Sequence, residues 1–245
     1  MSIPKLIHYC WFGGRPKPKL VLKCIESWKK YCPDYEIIEW NESNFDVHAN
    51  RYAREAYEQG MWAFVSDYAR LEIIYAHGGI YLDTDVELLR PLDDLAEGYE
   101  GFMGFENPKQ VATGLGFGAI AGHPLIGAML ADYRDIPFRL GEKHFDTLPC
   151  PDRSTKQLVD RGLRLDNSEQ VIDGIRILPS DYLCPQNFYT GKRIISPSTH
   201  SIHHYAATWL SPVAKRSTAM RRFLGERYYA ILYTRVLSKI GGWEW

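Results

Sequence analysis

Two aspartates, Asp83 and Asp85, follow the apolar run Gly79-Ile80-Tyr81-Leu82 with a single residue between them. Carboxylates held this close repel, so one takes up a proton or a cation sits between them. A hard divalent ion such as Mg²⁺ or Mn²⁺ suits their oxygens. If residues 79–82 form a strand, its period of two puts both side chains on one side of the chain. They would then lie at the carboxyl end of a strand, where open α/β sheets bind ligands. The competing reading is a solvated Asp-rich turn with Thr84 at its tip. Spacing by itself leaves both open.

A second pair precedes it. Asp67 and Arg70 are three apart in Ala63-Phe64-Val65-Ser66-Asp67-Tyr68-Ala69-Arg70-Leu71-Glu72-Ile73-Ile74-Tyr75 and share one face of a helix. One reading is an ordinary surface ion pair, worth a few tenths of a kcal/mol. In the other, this helix packs beside the Asp-x-Asp strand, Arg70 meets a phosphate or a sugar hydroxyl, and Asp67 accepts from sugar hydroxyls.

Both pairs need elements to position them. Lys5 to Trp11 reads as a short strand stopped by Gly13-Gly14, 20–31 as a helix with Val21, Cys24, Ile25 and Trp28 at helical spacing, and Tyr35 to Trp40 as a strand. This βαβ unit predicts an α/β fold with a parallel component. Helices are expected at 50–59 and 62–77, the second ending where His77-Gly78-Gly79 allows a left-handed cap. Beyond Pro91 strands are expected at 101–105, 115–120, 175–178 and 201–205 and a helix at 124–133, with a loop-rich stretch from Ile136 to about Pro151. A basic helix is expected from about Thr218 to Ile240.

The 245 residues are 45% hydrophobic and 24% charged, as in ordinary globular domains. A core of this size needs no staple, and the five cysteines form no C-x-x-C pair. We read residues 1–212 as one domain and 213–245 as a basic tail, with seven cations against two acids. Lys plus Arg (29) nearly balance Asp plus Glu (30), which speaks against a nucleic-acid partner. No secretory signal and no long apolar run is visible, so a cytoplasmic place is expected. The tail interleaves arginines with apolar residues. It suits either a helix docked on the domain or one lying on an anionic membrane surface, at the inner face of the membrane.

Taken together, Ser66-Asp67-x-x-Arg70 and Gly78-Gly79-Ile80-Tyr81-Leu82-Asp83-x-Asp85 resemble the signature of glycosyltransferase family 32 with its DXD sugar-binding motif. That group includes capsular polysaccharide and mannan-initiating transferases and is related to the clostridial glucosylating toxins. Ile3-Pro4-Lys5-Leu6-Ile7-His8-Tyr9-Cys10-Trp11-Phe12-Gly13-Gly14, Tyr35-Glu36-Ile37-Ile38-Glu39-Trp40-Asn41-Glu42 and Gly104-Phe105-Glu106 resemble the same family.

The resemblance implies a GT-A fold, a Rossmann-like mixed sheet flanked by helices. It implies a metal-dependent, retaining transfer of a hexose from a nucleotide-sugar donor, UDP-sugar favoured, to a saccharide or lipid-linked saccharide in polysaccharide biosynthesis. Trp11 would stack on the donor's base. Ser66, Asp67, Arg70 and Tyr81 would hold ribose, sugar and diphosphate, with Asp83 and Asp85 as metal and sugar ligands, and Arg70, Asp83 and Asp85 as the catalytic set.

In His203-His204-Tyr205-Ala206-Ala207-Thr208-Trp209, His203 matches a third metal ligand and Trp209 a diphosphate contact, although the family usually has serine at Thr208 and His204 competes with His203. Mn²⁺ is favoured over Mg²⁺. Retention through a covalent intermediate would need a carboxylate on the sugar's other face, for which Glu106 is the nominee; a front-side displacement needs none and is preferred. No threonine-glycine-proline segment is visible near Ser154-Thr155-Lys156, so acceptor recognition between 106 and 175 is left open. Two other functions compete. A sugar nucleotidyltransferase would want a Gly-rich basic loop after the first strand, and Gly13-Gly14-Arg15 is a poor one. A non-catalytic carbohydrate-binding module would be expected to lose ligands, yet Asp67, Arg70, Asp83 and Asp85 are all present.

Overall fold

Strands that alternate with amphipathic helices can bury both only by packing helices on a sheet. The computed structural model, which describes residues 2–187 and 191–206, has that form. Trp209 and the basic segment 213–245 lie outside the described residues.

The first unit is β1 (Leu6–Cys10), α1 (Lys19–Tyr31) and β2 (Glu36–Trp40). β1 and β2 run parallel, from Leu6 opposite Glu36 to Cys10 opposite Trp40. α1 buries Val21, Cys24, Ile25 and Trp28, the positions whose spacing marked it. Next come α2 (Arg51–Glu58), capped by the Asn50 side chain on the Ala53 amide, and α3 (Trp62–His77). α3 buries Phe64, Val65, Tyr68, Ala69, Leu71, Ile73 and Ile74, which cover most of its circumference, so it is a core helix rather than a surface one. It ends at Gly78, with φ 66° and ψ −166°. The positive φ suits glycine, but the extended ψ is not the expected left-handed cap. The chain passes straight into β3 (Gly79–Tyr81), and a Cβ on Gly78 would lie 2.8 Å from the Ala121 nitrogen.

The remaining elements are β4 (Val86–Leu88), β5 (Gly101–Asn107), β6 (Gln110–Val111), β7 (Phe117–Ala119), α4 (Pro124–Ala131), α5 (Cys150–Val159), β8 (Gln170–Ile172), β9 (Ile175–Leu178), α6 (Ser180–Leu183) and β10 (Ser201–His203). The main sheet runs β2-β1-β3-β7-β5-β9-β8, with β6 paired to β5. β1 pairs parallel with β2 and β3, as β5 does with β9, whereas β7 is antiparallel to both β3 and β5. The result is the expected mixed sheet. A separate antiparallel ribbon joins β4 to β10.

Side chains alternate between two cores, as the pleat requires. Ile7, Ile80 and Phe102 join Trp28 and Leu178 in one, while Cys10, Tyr81 and Met103 join α3 and Phe105 in the other. All five cysteines are free. α5 begins at the end of the stretch read as loop. Pro149 and Pro151 flank its first residue and Asp152 sits in its first turn, both favourable at a helix start. The strand expected at 115–120 shrinks to 117–119, because Thr113–Leu115 coil into a 3₁₀ turn. The one expected at 201–205 stops at 203, ahead of Tyr205 with φ 53°.

Candidate functional site

Asp83, Thr84 and Asp85 form the turn between β3 and β4, closed by the Val86 amide on the Asp83 carbonyl at 3.0 Å. The two carboxylates share a site because of this turn, not because the strand continues through them. The β4–β10 ribbon pairs Val86 with His203 and so carries that histidine to the same place. One ligand atom from each of Asp83, Asp85 and His203 lies within 4.8 Å of the others. The His203 Nε2 stands 3.2 Å from Asp85 Oδ1, and its buried Nδ1 has no hydrogen-bond partner among the described residues.

His204 points away. Its Nε2 lies 2.8 Å from Glu87 Oε2, which the Lys23 ammonium also meets at 2.8 Å. The backbone amide of Ala206 donates to Asp85 Oδ2 at 2.7 Å, and that of His204 to the Asp85 carbonyl at 3.0 Å.

Burial pushes the Asp85 carboxyl up, but the His203 charge and hydrogen bond and the Ala206 amide outweigh it and hold it at about 2. His203 answers in the opposite sense: burial lowers it, and Asp85 raises it to about 9. Asp83 is pushed up to about 6 by burial, against the pull of Arg70 and with the added repulsion of Asp85. One buried and one partly buried acid, of which Asp83 resists ionisation, set beside an imidazole with an idle nitrogen, make a donor set that fits a divalent cation.

Behind this group stands Arg70, only 3% exposed. Its Nε donates to the Ser66 carbonyl at 3.1 Å, and its Nη2 is shared between Asp67 Oδ1 at 3.0 Å and Asp83 Oδ1 at 3.1 Å. Its Nη1 faces Thr113 Oγ1 at 3.4 Å and the Cys150 Sγ at 3.3 Å. Every nitrogen of the fork is therefore engaged inside the protein. The pair with Asp67 is not the exposed i,i+3 bridge that spacing allowed, since the two side chains are 4% and 12% exposed. Tyr81, buried beneath, donates its hydroxyl to Asp83 Oδ1 at 3.1 Å and lies under the guanidinium, 5.1 Å from its ring centre. The Ser66 hydroxyl turns back to the Trp62 carbonyl at 3.1 Å.

Trp11 lies just beyond β1, half-buried, with its indole N–H on the Arg15 carbonyl at 2.7 Å and Lys17 5.7 Å from its ring centre. Glu106, near the end of β5, accepts from the Tyr205 hydroxyl, and the Tyr205 ring packs 4.4 Å from that of His203. Glu106 therefore belongs to the neighbourhood of the acid pair. Thr113, Gly114 and Cys150 were not singled out from the sequence. Only Cys150 had a usable signal there, the proline-flanked helix start, and nothing in the spacing tied it to Arg70.

Residues 18–102 match the family described as a glycosyltransferase sugar-binding region containing a DXD motif. Inositol phosphoceramide mannosyltransferase 3 of Schizosaccharomyces pombe is 30% identical to this chain over 154 residues, 60% of the chain and 41% of that protein. The human alpha-1,4-N-acetylglucosaminyltransferase is 27% identical over 167 residues, 66% of the chain and 41% of that protein. The chain thus spans about two fifths of the length of these curated relatives. The solved PaToxG glycosyltransferase shares its fold, with a TM-score of 0.50 at 20% identity over 64% of this chain and 69% of that one.

Proposed function

We propose that the chain is a DXD glycosyltransferase that transfers a hexose from a nucleotide-sugar donor, a uridine donor first, to a saccharide or lipid-linked saccharide. The observation that carries this reading is the convergence of Asp83, Asp85 and His203 at the carboxyl end of β3. These three residues would hold a divalent cation, Mn²⁺ ahead of Mg²⁺ because one donor is an imidazole. When bound, the cation supplies charge neutralisation for the diphosphate that leaves.

The protein's own groups set the rest. Asp67 and Asp83 present acceptor oxygens fixed by Arg70, so sugar hydroxyls meet carboxylates that need not reorganise. Trp11 offers an indole face to the base. Retention by front-side displacement asks for no further carboxylate. Glu106, held by Tyr205, is the group a covalent route would draw on. A sugar nucleotidyltransferase is less well supported, because the Gly13 amide of its would-be phosphate loop donates to the Glu42 carboxylate at 2.7 Å, and a carboxylate there repels phosphate. The seven cations of the tail suit an anionic membrane surface, which supports a lipid-linked acceptor and a cytoplasmic, membrane-apposed place of work.

A panel of nucleotide sugars, each with Mn²⁺ and with chelator, tests the reading through release of nucleoside diphosphate and the anomeric configuration of the product. Metal-dependent release from a uridine donor is expected. Release from guanosine donors alone would overturn the base, and inversion would overturn the mechanism.

A further inference from the structure

We propose that Gly114 is a positioning residue: the side chain it lacks leaves the space that the outer oxygen of Asp83 occupies. An ideal Cβ on Gly114 would lie 2.6 Å from Asp83 Oδ2 and 3.3 Å from Arg70 Nη1. Contacts under about 3 Å between a carbon and an oxygen are repulsive, so one partner would have to shift.

Asp83 is poorly placed to yield. Its other oxygen, Oδ1, takes the Arg70 Nη2 at 3.1 Å and the Tyr81 hydroxyl at 3.1 Å. Swinging the carboxylate away breaks two hydrogen bonds in a buried setting, where unmade bonds are costly. Arg70 cannot follow, because Ser66, Asp67, Thr113 and Cys150 hold its remaining donors. Nor does the glycine answer a backbone need, since it sits in the 3₁₀ turn Thr113–Leu115 and is not among the glycines with positive φ. Its smallness is required by a side-chain contact. The turn therefore acts on Asp83 twice, through Thr113 on Arg70 and through Gly114 on Oδ2.

This inference rests on the proposed role of Asp83 in holding metal and donor, so the test measures both residues in parallel. Gly114→Ala, Asp83→Ala and the double variant are prepared in the full chain. Mn²⁺ binding is read by electron paramagnetic resonance, donor hydrolysis as kcat and KM, and folding by thermal melting. Gly114→Ala is expected to weaken Mn²⁺ binding about ten-fold or more and to lower kcat on the order of 100-fold, as for a group displaced by about an ångström. In the double variant the alanine should add no further loss of Mn²⁺ binding to that of Asp83→Ala, because the group it displaces is gone.

Should Gly114→Ala melt early, it is expected to lower the midpoint much less in the Asp83→Ala background than in the wild-type chain, because the clash is gone there. An equal lowering in both backgrounds would show that the methyl meets something else and overturn the proposal. Wild-type Mn²⁺ binding and turnover in Gly114→Ala, with both lost in Asp83→Ala, overturns the role of Gly114 and leaves that of Asp83 intact. Wild-type behaviour of Asp83→Ala overturns the role of Asp83 and this inference with it.

Discussion

Arg70 reaches Asp83 from within the core, Nη2 to Oδ1 at 3.1 Å, across the junction between helix α3 and the turn after β3. The bond joins an arginine that has no solvent to turn to with a carboxylate that burial pushes up to about 6. Arg70→Lys should therefore do two things at once. It keeps the charge but loses the planar fork that meets Ser66, Asp67, Asp83, Thr113 and Cys150 together. Breaking such a buried network costs about 3 to 5 kcal/mol, so both the urea midpoint and turnover should fall. An unchanged midpoint would mean that a lone ammonium suffices there.

Asp85 and His203 give a contrast between neighbours. Asp85→Asn should cost on the order of 3 kcal/mol of transition-state stabilisation, the scale for loss of one preorganised group. His203→Ala should weaken Mn²⁺ binding, whereas His204→Ala should disturb only the cluster with Glu87 and Lys23 and leave metal affinity near wild type. Calorimetric titration of Mn²⁺ into the three variants decides. Equal losses in the two histidine variants would sink the assignment of His203.

Trp11 tests the base platform. If its indole stacks on the base, Trp11→Ala should weaken nucleoside diphosphate binding by roughly 1 to 3 kcal/mol. Lys17 already lies near that ring and pairs with Glu39 at 2.7 Å, so Lys17→Met should change affinity far less than the loss of the indole. Affinities from fluorescence titration check both. Undiminished binding by a folded Trp11→Ala would show that the ring only packs against its neighbours.

His8 sets an acid limit on stability. It is fully buried, with Nδ1 accepting from the Trp40 indole at 3.1 Å and Nε2 on the Gly78 carbonyl at 3.0 Å. Burial lowers it to about 4, the Gly78 bond opposing and the neighbouring His77 charge adding to the shift. A folded value below the unfolded 6.5 means that the unfolded chain binds the proton more readily. The contribution is therefore complete above about pH 6.5 and is lost as pH falls toward 4, by about 3 kcal/mol at most. Urea titrations at pH 7 and pH 5 should show the drop, and His8→Gln should flatten it. An equal slope in the variant would place the acid sensitivity elsewhere.

The sequence by itself determined whatever depends on local order. The spacing of Val21, Cys24, Ile25 and Trp28 marked α1, and the apolar run ending at Asp83 marked the site. Residues 62–77, apolar on most sides, already described a helix buried around most of its circumference. That pattern was the available sign that Asp67 and Arg70 are buried partners rather than a surface bridge.

What the tertiary structure alone decided is which distant residues meet. His203 and His204 are adjacent in sequence and chemically alike, and only the pairing of β10 with β4 turns one toward Asp85 and the other toward Glu87. Thr113, Gly114 and Cys150 carry no motif. They matter because a 3₁₀ turn and a helix start, remote along the chain, close against one guanidinium. A pattern of residue types records the face a segment buries; the partner on that face is set by packing, where each position excludes every side chain that does not fit.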